Sequence, residues 1–283
     1  MPSIQDNSFC GQRSSKPNVH SNPEIKLLAV KCERLGSWWN IKNLAAPYWR
    51  LYWNDAVGAS LFLGDDVYAL NPSSLYLVPP ETPCRTQCLG MLGHFYVHFL
   101  ATEPYAAVST PEVFALRPGQ EILRLAAKAA AISRDGGGDE GGSLPMLALA
   151  LVSYALTHIP QSCLARPTGQ DRRVVEAMRR IDAAPTAIAN SELARLAGMS
   201  VNAFGRLFRQ CAGITPQVYS RRKRLDQACL LLRFSSLGIK EIAERLDFCD
   251  RHHFAKLFKK ERGVSPGEYR HGERNTPGSP VAS

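Results

Sequence analysis

A chain of 283 residues with 45% hydrophobic and 21% charged side chains is long enough for about two globular domains and too apolar for an extended, disordered polymer. Its net charge of +9 is uneven: from Arg166 onward it holds 22 of the 34 Lys and Arg but only 12 of the 25 acidic residues, net +10, against −1 before that point. This suits a near-neutral sensor or docking domain followed by a polyanion-binding one, and the longest uncharged apolar run, the 13 residues Leu144 to Leu156, is too short to span a bilayer.

Met1 to Pro23 is rich in Ser, Asn and Pro, lacks periodicity and reads as a mobile arm over 1–23. No basic region leads into an apolar core there, so no secretory signal is expected, and the expected location is cytoplasmic without membrane attachment. The eight cysteines stand singly, which suits a reducing compartment.

Over 24–110, short apolar runs alternate with turn signals. Strands are predicted at Ile25 to Val30, Trp49 to Trp53, Ala59 to Leu63, Val67 to Leu70, Leu75 to Val78 and Phe95 to Leu100. Gly64-Asp65-Asp66, Asn71-Pro72-Ser73-Ser74 and Pro79 to Pro83 read as turns or breakers. Many short strands at this spacing predict a sandwich or barrel, and a small barrel can enclose one ligand.

Trp38, Trp49 and Tyr52 are candidate linings of such a pocket, because their rings combine apolar faces with polar edges and suit a sugar or an aromatic effector; they serve equally well as core. His94, Tyr96 and His98 share one strand face by alternation, with Phe95, Val97 and Phe99 on the other. They read as effector contacts, as buried histidines or as metal ligands, and the lack of a nearby downstream Glu argues against the last. Cys84 and Cys88 lack zinc-site spacing. No metal, other cofactor or catalytic residue is assigned, and the chain is not expected to be an enzyme.

Helices are predicted over Arg117 to Ile132 and Leu144 to Ile159, with a Gly-rich loop between them. Two such helices exceed what a barrel needs to cover itself, which makes 111–160 a candidate interface. Pro160, Pro167 and Gly169 mark a linker over 161–170, and Arg172 to Ala183 reads as the opening helix of a second domain.

That domain contains one pattern twice. Phe204, Phe208, Gly213, Pro216 and Tyr219 recur 50 residues on as Phe254, Phe258, Gly263, Pro266 and Tyr269. Each copy reads as helix, tight turn, helix. In the first, Gly198 suits a positive-φ turn and Ser200 caps a helix running from Val201. In the second, Asp247 takes the turn position at some local cost and Asp250 is the cap. Between the copies, Thr215-Pro216 starts a helix reaching Arg233 that carries the basic run Arg221 to Arg224, suited to phosphates. The tail 272–283 reads as disordered.

The doubled unit, its Phe-x-x-x-Phe pairs, the Gly-Ile-Thr-Pro and Gly-Val-Ser-Pro segments and the closing Glu-Tyr-Arg resemble the DNA-binding domain of the AraC/XylS family of bacterial transcription regulators, over 171–271. The resemblance implies base contacts from Asn202, Gly205, Arg206, His252, His253 and Lys256. The residue chemistry agrees: Arg206 can pair with guanine, Asn202 with adenine, and the histidines can donate to a purine N7. Ser200, Arg209, Arg251, Lys259 and Lys260 suit phosphates.

By the same resemblance, the fold is α+β: a cupin-like jelly roll, a helical dimerisation segment and an all-α double helix-turn-helix domain. Promoter DNA, a small-molecule effector such as a sugar, RNA polymerase and a second copy of the chain are the implied partners, with activation the commoner outcome. A cupin metal enzyme fused to a DNA-binding module and a regulator without an effector remain as alternatives.

Overall fold

In this computed structural model the described residues are 23–42, 44–106, 108, 111–135, 142–164, 171–184 and 186–271. The expected arm, the tail, most of the linker and most of the Gly-rich loop lie outside them.

Alternating apolar side chains and their backbone partners build eight strands among the described residues. These are β1 (Ile25–Leu35), β2 (Trp49–Asn54), β3 (Ala59–Leu63), β4 (Asp66–Leu70), β5 (Leu75–Val78), β6 (Arg85–Cys88), β7 (Leu92–Ala101) and β8 (Phe114–Leu116). A five-stranded sheet has the order β1-β7-β2-β5-β8 and a three-stranded sheet the order β4-β3-β6, every pairing antiparallel. Of the barrel and the sandwich that the strand spacing predicts, the described strands make no closed barrel but two open sheets that share one core cluster. Gly64, at φ 59, makes the β3–β4 turn that the sequence predicts.

The faces of β2 and β7 divide the core. Trp49, Leu51 and Trp53 point with Phe95, Val97 and Phe99 into one cluster; Tyr52 and Tyr96 face the other, toward Leu61, Leu70 and Cys88 of the small sheet. The first cluster is closed by α1 (Gln120–Asp135) and α2 (Ser143–Leu156), whose Ala126, Ala129, Ala130, Ala148, Leu151 and Val152 are buried. Small alanines let both helices lie close, and each large side chain buried there stabilises the half by roughly 1.5–3 kcal/mol. The first helix begins three residues later than predicted because Leu116 belongs to β8 and Pro118-Gly119 separate strand from helix.

The second half is helical: α3 (Arg172–Ala183), α4 (Asn190–Leu196), α5 (Val201–Ala212), α6 (Pro216–Phe234), α7 (Ile239–Arg245), α8 (Arg251–Arg262) and α9 (Pro266–His271). Thr215 caps α6 and Pro216 occupies its first turn, as the sequence predicts. At 19 residues, about 28 Å long, α6 is shared by two cores. Tyr219 packs edge-on against Phe208 of the first, while Leu225, Ala228, Cys229 and Leu232 enter the second.

The C-terminal end of α6 also meets the strands: the Phe234 ring lies 5.4 Å from Tyr48 and 6.2 Å from His98. No helix among the described residues is long and apolar enough to cross a membrane.

Candidate nucleic-acid interface and effector site

Both helix-turn-helix units are fixed by local chemistry. After α4, Gly198 takes φ +65, and the Ser200 hydroxyl accepts the Ala203 N–H at 3.3 Å to cap α5. After α7, Asp247 takes φ +57, and the Asp250 carboxylate accepts the N–H groups of His252 and His253 at 2.7 and 2.8 Å. Those two backbone hydrogen bonds hold the Asp250 carboxyl below its usual range. Gly213 and Gly263 end α5 and α8 in matching left-handed caps.

Phe204 and Phe208 are fully buried against Leu193, Ala194 and Ile181, and Phe254 and Phe258 against Ile242, Leu246 and Leu232. With these inward positions fixed, helical periodicity sets what faces out. Asn202, Arg206 and Arg209 on α5 are exposed, as are Arg251, His252, His253, Lys256, Lys259 and Lys260 on α8. Gly205 is half-buried, and a Cβ added there would meet nothing within 4 Å, so its face of α5 stands open.

The basic run on α6 is arranged differently from its phosphate-facing reading. Lys223 pairs with Asp182 at 3.6 Å, Arg224 donates to the carbonyls of Leu246 and Asp247, and only Arg222 of the four is exposed.

A family model described as a helix-turn-helix domain matches residues 193–272. The HTH-type transcriptional activator RhaS of Escherichia coli O139:H28 is 40% identical over 74 residues, 26% of this chain and 27% of that protein. RhaS of Salmonella arizonae is 40% identical over 79 residues, 28% of each chain. Residues 193–272 are a double helix-turn-helix segment of the AraC/XylS type. The chain matches only about a quarter of the length of these curated relatives. Beyond that segment the likeness is one of fold alone: ToxT from Vibrio cholerae superposes over 89% of this chain and 98% of its own, with a TM-score of 0.53 and 12% identity.

In the N-terminal half, five of the six effector-site candidates converge. His94, Tyr96 and His98 line one face of β7, with Tyr52 and Trp38 beside them. The His94 ring lies 4.8 Å from Tyr52, 5.8 Å from Tyr96 and 5.1 Å from Trp39, and the His98 ring 4.6 Å from Tyr96. Trp49 is the exception. It faces the opposite side of β2, stacks on Phe99 at 6.0 Å and donates its indole N–H to the Tyr105 carbonyl at 2.8 Å. The rings fill their own space, leaving a cavity of about 20 Å³, room for one water.

Next to it is a larger cavity of about 680 Å³ between β1, β7 and the end of α6. It shares Glu33, Tyr96 and His98 and adds Lys31, Arg233 and Phe234. Its α6 side was outside the sequence reading, because it joins residues more than 130 positions apart.

Arg50 was also missed, although it stands in an apolar strand. Its fully buried guanidinium donates to the Leu44 carbonyl at 2.9 Å and the Thr82 carbonyl at 2.7 Å. Alternation carried the signal: Arg50 shares its strand face with Tyr52, and a charge on an inward face calls for an internal partner.

Burial holds His94 neutral, with its pKa down to about 3, and its Nδ1 lies 2.7 Å from Asn54 Oδ1, which fixes the tautomer with the proton on Nδ1. Below about pH 6.5 the unfolded chain protonates this histidine, while the folded chain resists until about pH 3. Stability therefore falls across that window, by up to about 5 kcal/mol from this group. His98, also held low by burial, adds to the fall. Denaturation midpoints of wild type and His94→Gln between pH 7 and pH 4 check this; the variant is expected to show the shallower dependence, and equal slopes would refute the assignment.

Proposed function

We propose that the chain is a sequence-specific transcription regulator, an activator by family habit and not an enzyme. In this reading 171–271 binds promoter DNA, 24–110 forms a cupin-like effector domain opened into two sheets, and 111–160 joins two copies into a homodimer. The observation that carries the DNA reading is the repetition itself: two capped units expose polar and basic side chains at the same helical positions and share one connecting helix.

Arg206 and His253 reach base edges; Arg209, Lys259 and Lys260 meet phosphates. RNA polymerase is the expected protein partner at the promoter. The effector is a small polar molecule, with sugars among the candidates, held in the 680 Å³ cavity where Tyr96 offers a ring face and Lys31, Glu33 and Arg233 offer charges. A ligand there touches both halves of the chain, so it can favour one relative placement and thereby DNA competence.

The test is selection of bound genomic fragments by the purified full-length protein, with and without candidate metabolites, read by sequencing. A motif of two segments about one helical turn apart is expected. Arg206→Ala should relax the preference at one base pair and weaken binding by about 1–3 kcal/mol. Equal weakening on all sequences would reassign Arg206 to a phosphate.

A further inference from the structure

Two turns one repeat apart share a backbone and differ in residue. After α4, the Gly198 N–H bonds the Arg195 carbonyl at 3.1 Å and the Met199 N–H bonds the Ala194 carbonyl at 2.9 Å. After α7, the Asp247 N–H bonds the Glu244 carbonyl at 3.1 Å and the Phe248 N–H bonds the Ala243 carbonyl at 3.0 Å. Both central residues are left-handed, at φ +65 and φ +57. Glycine adopts that region freely, whereas in aspartate the Cβ crowds the following carbonyl. Something outside the second turn has to hold it.

Arg224 is placed to do so. From α6 its Nη1 donates to the Leu246 carbonyl at 3.0 Å and to the Asp247 carbonyl at 2.7 Å, and its guanidinium lies over the Phe248 ring at 4.7 Å from the centroid. One side chain thus grips the strained residue, the carbonyl before it and the ring after it. The planar fork of Arg allows this, and the point charge of Lys would not reproduce it.

The first unit supplies an internal control. Val174, Ala177 and Ile181 of α3 stand 51 positions before Leu225, Ala228 and Leu232 of α6 and fill the same role in their own core. Arg173 is thereby the counterpart of Arg224. It bonds instead to Asp171, Nε to Oδ1 at 2.9 Å and Nη2 to Oδ2 at 2.7 Å, beside a unit whose turn has its glycine. The clamp on a turn goes with the turn that lacks glycine.

We propose that Arg224 is the positioning residue of the second reading helix: it clamps the glycine-less turn between α7 and α8 and sets the angle at which His252, His253 and Lys256 meet DNA. The role rests on the DNA-reading function proposed above. It also removes Arg224 from the phosphate contacts that its place in a basic run suggests.

The experiment is hydroxyl-radical footprinting and affinity measurement with full-length protein on the selected operator, using wild type, Arg224→Ala, Arg224→Lys and the double variant Arg224→Ala with Asp247→Gly. Wild type should protect two segments. Arg224→Ala should keep the segment read by α5, lose protection of the segment read by α8 and bind at least tenfold more weakly. Arg224→Lys should behave like Arg224→Ala, although it keeps the charge.

The double variant should regain both segments, because glycine takes the left-handed turn without a clamp. Wild-type binding by Arg224→Lys would show that charge alone matters and overturn the proposal. So would an even loss over both segments, or no recovery on adding Asp247→Gly. If Arg224→Ala does not fold, the lysine and double variants carry the same comparison. Wild-type protein protecting no DNA would refute the DNA-reading function itself, a distinct result.

Discussion

Arg50→Leu is expected to destabilise the N-terminal half by about 3–5 kcal/mol, among the largest effects of any single change in this chain. The guanidinium is fully buried and donates to two carbonyls on separate loops, Leu44 and Thr82. A leucine of similar reach restores the apolar contact and leaves both oxygens without that donor, at about 1–3 kcal/mol each. Burial keeps water from replacing it. The loops it joins are already tied by the Leu44–Cys84 bridge, and the Glu81 N–H bonds the Ala46 carbonyl at 2.8 Å, so both should loosen together. Urea denaturation of the full chain, followed by the N-terminal tryptophans, measures the loss; a midpoint close to wild type would show that the loops hold without the guanidinium.

The helix-turn-helix units were legible almost residue by residue because most of their determinants are local: Gly198, Ser200, Asp250 and Thr215-Pro216 act within a few positions of themselves. Strands β3 and β5 fell at their predicted bounds for a similar reason, each being a short apolar run between turn residues.

Strand β6 was missed, since Arg85-Thr86-Gln87-Cys88 has no alternation of its own and is a strand only because its backbone pairs with β3. Strand β1 runs five residues past its predicted end, because β7 offers a partner as far as Leu92. The assignment of Trp49 had its objection in view. Trp49 and Tyr52 lie three apart in one strand and so face opposite ways. The cleft at the end of α6 had no such signal, as it depends on how two distant segments pack.

Arg262→Ala is the second large effect expected, and it links that packing to DNA reading. Arg262 is the last residue of α8 and is only 12% exposed; it bonds to Asp226 on α6 and, at 2.6 Å, to Glu81 in the N-terminal half. Removing it leaves the part-buried Asp226 carboxyl, 25% exposed and pushed up to about 7 by burial, without that cation, at about 1.5–3 kcal/mol. Adding Asp226→Asn should recover much of that loss, since the neutral amide needs no counter-charge.

Glu81 is the opposite case. Its side chain is 51% exposed, so its ion pair contributes at most about 1 kcal/mol. It also sits at φ 59, where glycine would be at ease. Glu81→Gly should therefore leave stability within about 1 kcal/mol of wild type, as a weak pair is lost and backbone strain is relieved.

What Glu81→Gly removes is an ion pair from the N-terminal half to the end of α8. The carbonyl of the next residue, Thr82, is held by Arg50, and Arg50 shares the buried surroundings of His98 at the cavity wall. If this contact carries the response to ligand, Glu81→Gly should bind DNA with an affinity that no longer depends on the effector, at unchanged melting temperature. An effector response equal to wild type would place the coupling elsewhere, at the Phe234 ring between Tyr48 and His98. A destabilisation matching that of Arg262→Ala would mean that Glu81 is part of the fold and not a coupling contact.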